Sequence, residues 1–76
     1  MLPVKVLLVD DEVEFASALA ERLLIRHYEV KTAHNAEDAL GIISSHPLDV
    51  VILDLRIPGM NGIETLKTIK KFDPSI

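Results

Sequence analysis

Three short apolar runs, at residues 4–10, 28–33 and 49–54, alternate with three longer stretches whose apolar residues recur at helical spacing. This alternation constrains the fold more than any other feature of the chain. Strands that take turns with helices build a parallel sheet through right-handed crossovers. "VKVLLVD" (Val4 to Asp10) reads as a strand, with Pro3 at its entrance, where a missing amide does least harm. "YEVKTA" (Tyr28 to Ala33) alternates with period two, as an edge-type strand with one wetter face does. "DVVILD" is a continuous apolar run of the kind covered on both faces in a parallel sheet.

The intervening stretches have helical period. From Val13, Phe15, Leu19 and Leu23 form one row and Ala16, Ala20 and Leu24 the next, with Glu14, Glu21, Arg22 and Arg26 mostly off both rows. Asn35 is a candidate cap for the second helix, and Asp38 three residues on resembles the acidic partner of a capping box. Ala36, Ala39, Leu40 and Ile43 then form its inward stripe, and "SSHP" ends it. Asn61 and Glu64 repeat the capping signature, followed by Ile63, Leu66 and Ile69 as the inward set. Lys67, Lys70 and Lys71 lie near the end of that helix, where cations complement its dipole.

A length of 76 residues suits one small domain, and 49% hydrophobic with 26% charged residues is a globular composition. A net charge of -4 argues against direct nucleic-acid binding, which calls for a basic face. With no cysteine, disulfides and thiolate metal sites are excluded. The apolar run "VLLV" is stopped by "DDE", too short for a signal-peptide core, and nothing approaches transmembrane length. The expectation is a soluble cytoplasmic protein without membrane contact.

The first strand runs into Asp10 and Asp11, followed by Glu12, and the third runs into Asp54. Ligands of parallel α/β sheets gather outside the carboxyl ends of the strands. If the two strands are neighbours, Asp10, Asp11 and Asp54 converge there. Either one of them then keeps its proton or a cation joins them. With only oxygen donors the cation is hard: Mg²⁺, or else Mn²⁺ or Ca²⁺. A carboxylate beside such a metal also suits phosphoryl transfer, because it can carry phosphate as an acyl phosphate. Asp54 is the single acid at its strand tip and suits the nucleophile, while the acidic pair suits the metal. The turn at Arg56 can offer a backbone carbonyl, and Pro58, Gly59 and Asn61-Gly62 supply the backbone a tight loop needs.

"LLVDDE" at the end of a first strand, with "ILDLRIPGMNG" at the end of a third, strongly resembles the receiver domain of response regulators in two-component signalling. The resemblance implies a flavodoxin-like, doubly wound parallel α/β sheet, here of three strand-helix units in strand order 2-1-3. It implies Asp54 as phospho-acceptor, Asp11 as direct Mg²⁺ ligand, Asp10 as support for the metal, and the Arg56 carbonyl as a further ligand. Pro58 and Gly62 match the loop that follows the acceptor, and Ile57 stands where Met or Leu is common. The implied partner is a sensor histidine kinase or phosphotransfer protein, acting through a phosphohistidine.

Residues 1–76 correspond to only the first part of a receiver, ahead of the later strands with their phosphate-contacting Ser or Thr and Lys. On that reading "DVVILD" shows a bare apolar edge, leading to a homodimer or domain swap, a poorly folded fragment, or a piece of something longer. The competing function is therefore a structural self-association module that never takes phosphate. A phosphatase of the haloacid-dehalogenase type needs an acid two residues after the nucleophile, where this chain has Arg56. Taken singly, "DDE" is a solvated helix start and "DL" before Pro-Gly is turn chemistry; only the pair points to a site. His27, His34 and His46 lack ligand spacing and read as surface residues.

Overall fold

The computed structural model describes residues 2–54 and 62–72. Its elements run β1 (Lys5–Val9), α1 (Val13–Ile25), β2 (Glu29–Ala33), α2 (Ala36–Ser45), β3 (Val50–Leu53) and α3 (Gly62–Phe72). The three strands form one parallel sheet in the order β2-β1-β3. Val6 lies opposite Val30 and Val50, and Val9 lies opposite Ala33 and Leu53. The strands therefore finish level with one another. That level places whatever follows Val9 beside whatever follows Ala33 and Leu53.

β1 is paired on both sides, and its apolar run is the most deeply buried part of the sheet. Leu7 and Val9 join Ala33, Ala39, Ile43, Leu48 and Ile69 in one core, so this face of the sheet carries α2 and α3. Val6 and Leu8 are also buried and alternate to the opposite face, where α1 lies against β1 and β2 with Ala16 fully enclosed. Each large side chain enclosed this way contributes about 1.5–3 kcal/mol relative to exposure.

Local signals set the element ends. Asn35 Oδ1 accepts from the Asp38 amide at 2.8 Å, and Asn35 Nδ2 donates to Asp38 Oδ2 at 3.0 Å, so the expected cap of α2 forms. The turn from α1 into β2 is closed by His27 N–H donating to Leu24 C=O and Tyr28 N–H donating to Leu23 C=O. This is a Schellman arrangement, and it places His27 at φ 67°, the left-handed region that glycine usually fills. At the other end of the sheet Asp49 clasps β1 twice. Its carboxylate accepts from Lys5 N–H and its own N–H donates to Lys5 C=O, both at 2.8 Å.

Three expectations about faces need correction. Phe15 and Leu24 are exposed on α1, which turns Ala16 inward and leaves Leu19, Ala20 and Leu23 only half-buried. Among the described side chains of α3, Thr65 and Ile69 are buried, whereas Ile63 and Leu66 face outward. β3 is covered on one face only. Val51 and Leu53 pack against the core, but Val50 and Ile52 are 42% and 41% exposed. The cause is shared: α1 sits over β1 and β2 rather than β3, and α3 meets α2 along a narrow strip. Lys67, Lys70 and Lys71 are exposed, as their placement late in α3 implied. Among the described residues no helix is long and apolar enough to cross a membrane.

Candidate metal and phosphoryl site

The acidic site follows from the level strand ends. Asp10 N–H donates to Ala33 C=O at 3.0 Å and Asp54 N–H donates to Val9 C=O at 3.0 Å, so both residues continue the ladder one step past their strands. Asp10 is only 6% exposed, and its Oδ1 accepts from Glu12 N–H at 2.9 Å in the turn that enters α1. Asp54 is half-buried and Asp11 is exposed. One carboxylate oxygen from each of Asp10, Asp11 and Asp54 lies within 4.8 Å of the other two. Two strand ends on adjacent strands thus deliver three negative charges to one point.

The donor set fits a hard divalent cation. Oxygens bound to a common Mg²⁺ or Ca²⁺ at about 2.0–2.6 Å stand up to roughly 4–5 Å apart, the spread seen here. Soft metals are disfavoured by the all-carboxylate chemistry. Of the loop residues expected to contribute, Arg56 and Pro58 lie outside the described residues, as does the Asn61 cap, and Gly62 is the first residue of α3.

One residue near the site was misread as surface. His34 is half-buried, and its Nδ1 lies 2.9 Å from the backbone oxygen of Asp10. Register carries the signal that was available: His34 follows Ala33 as Asp10 follows Val9, and those two residues are paired. His27 and His46 are exposed, with His46 Nδ1 only 2.9 Å from the Ser45 hydroxyl.

Residues 6–76 match the family model of the response regulator receiver domain, and the chain belongs to that family. Among its relatives is the transcriptional regulatory protein KdpE of Mycobacterium tuberculosis, 48% identical over 80% of this chain and 27% of the relative. Sporulation initiation phosphotransferase F of Bacillus subtilis is 40% identical over the whole chain and 61% of the relative. Response regulator TrrA of Thermotoga maritima, solved in complex with Mg²⁺-BeF, superposes with a TM-score of 0.86 at 39% identity, over 93% of this chain and 62% of that one. A structure of histidine kinase ThkA in complex with TrrA matches with a TM-score of 0.82 at 41% identity, over 90% and 59%. The chain therefore spans between about a sixth and three-fifths of the length of the curated relatives it matches. The three-stranded sheet in order 2-1-3 agrees with these receivers, and the family match does not favour a purely structural self-association module.

Proposed function

We propose that the chain is the phospho-accepting part of a receiver, in which Asp54 takes a phosphoryl group from a phosphohistidine of a sensor kinase or phosphotransfer protein. The observation that carries this reading is the convergence of Asp10, Asp11 and Asp54 at the carboxyl end of the sheet. Residues 1–76 would be the first portion of the receiver.

Asp54 is the acid best placed to attack. Asp10 is enclosed and its Oδ1 is engaged by the Glu12 amide, whereas Asp54 is half-buried just past the end of β3 and reaches solvent. One Asp54 oxygen forms a bond to phosphorus as the phosphorus–nitrogen bond of the phosphohistidine breaks. The electron pair of that bond leaves on the imidazole, and Asp54 becomes an acyl phosphate. Asp10, Asp11 and Asp54, with the carbonyl of Arg56, would hold Mg²⁺, which when bound offsets the repulsion between carboxylates and phosphoryl oxygens. The β1 and β3 ladder keeps the acids in register, so attack needs no rearrangement of the sheet. The chain accepts a group once and is not a turnover enzyme.

The test is mass spectrometry of the chain incubated with acetyl phosphate as a small phosphodonor. One phosphoryl group should appear with Mg²⁺ present, none with a chelator, and none in Asp54→Asn. Uptake that persists in Asp54→Asn would place the acceptor elsewhere and sink the assignment.

A further inference from the structure

We infer that His34 is a positioning residue for the acidic site, orienting Asp11 through the backbone of Asp10. The inference rests on the reading of that site as a divalent-cation site. A carbonyl oxygen only accepts, so His34 Nδ1 carries the proton in its 2.9 Å contact with Asp10 O. The contact spans 24 residues and ties the turn after β2 to the turn after β1.

Its leverage comes from peptide planarity. The Asp10 carbonyl belongs to the same rigid plane as the amide nitrogen and Cα of Asp11. Fixing that oxygen fixes the direction in which Asp11 leaves the sheet. Asp10 is already held at its amide by Ala33 C=O and at its carboxylate by Glu12 N–H. Asp11 is exposed, with no burial to define it. His34 supplies the missing constraint from outside the carboxylate set. It touches no reacting atom.

The experiment compares His34→Ala, His34→Asn and His34→Gln in the 76-residue chain. An asparagine amide nitrogen sits about where Nδ1 sits, and a glutamine nitrogen sits farther out, near the place of Nε2. Mg²⁺ is titrated against amide NMR shifts. Alanine and glutamine should weaken Mg²⁺ binding about tenfold, at the low end for outer partners of a metal ligand, and asparagine should stay within about twofold of the parent.

Two metal-free readouts accompany the titration. Imidazole nitrogen shifts should report the proton on Nδ1 of His34, and exchange of the Glu12 amide should accelerate in His34→Ala but not in His34→Asn. Parent-like Mg²⁺ affinity and Glu12 exchange in His34→Ala would overturn the inference. Equal loss in asparagine and alanine would overturn it too, because bulk rather than the donor would then matter. If the parent takes up no Mg²⁺ while both metal-free differences appear, the cation reading fails and the positioning of Asp10 and Asp11 stands.

Discussion

Replacing Asp11 by Asn should stabilise the chain without metal and weaken its response to metal. The carboxylate oxygens of Asp10 and Asp54 lie within 4.8 Å of an Asp11 oxygen. Because Asp11 is exposed, the dielectric of water is the appropriate one, and each repulsion amounts to about 0.9 kcal/mol at that distance. Two such repulsions, roughly halved by physiological salt with its Debye length of about 8 Å, leave about 1 kcal/mol. For a domain of this size that raises Tm by about 4–8 °C. With Mg²⁺ at a hundred times its Kd the parent chain gains about 2.7 kcal/mol. Asp11→Asn has lost a ligand. With a Kd weakened about a hundredfold it gains only about 0.4 kcal/mol, less than the roughly 1.7 kcal/mol it would need to stay ahead, so the order of stabilities reverses. Thermal unfolding followed by circular dichroism at pH 7, in chelator and then in excess Mg²⁺, reads both halves. A variant less stable than the parent in chelator would refute the repulsion argument, and one that gains fully from Mg²⁺ would remove Asp11 from the ligand set.

Other perturbations have equally definite signs. His27→Gly should stabilise by about 0.5–1 kcal/mol, since glycine relieves the left-handed backbone at φ 67° and gives back part of that gain as chain entropy; a lower Tm would be contrary. Asn35→Ala removes the acceptor for the Asp38 amide and should cost about 1 kcal/mol, read as a lower urea midpoint at unchanged slope. Leu7→Ala opens the core at a fully enclosed position and should cost about 2–5 kcal/mol, a large share of any small domain's stability, seen as lost amide dispersion in NMR.

The strands were legible because the apolar runs are short, bounded and alternate with helical periods, whereas their order 2-1-3 followed only from the resemblance of the two acidic motifs to receivers. The acidic site was legible because a parallel sheet sends successive strand ends to the same side, so Asp10 and Asp54 had to meet once β1 and β3 were neighbours. Facing was less legible. Periodicity identifies which side of a helix is apolar, but the neighbour decides how much of that side is covered. Phe15 and Leu24 therefore fall outside the strip that β1 and β2 cover, and Thr65 takes the inward place expected of Ile63 or Leu66. The place of His34 was not legible from spacing along the chain, because its partner is a backbone oxygen on a neighbouring segment.

The parallel pairing of β1 with β3 also governs when the acidic point comes into being during folding. Asp54 can join Asp10 and Asp11 only after the chain has closed the long crossover that carries α1, β2 and α2, because its amide must first reach the Val9 carbonyl. Such distant closures are the slow, late contacts of a topology. If these contacts form after the folding transition state, a cation captured there should slow unfolding while leaving the refolding rate almost untouched. The site would then act as a kinetic latch on a sheet already assembled.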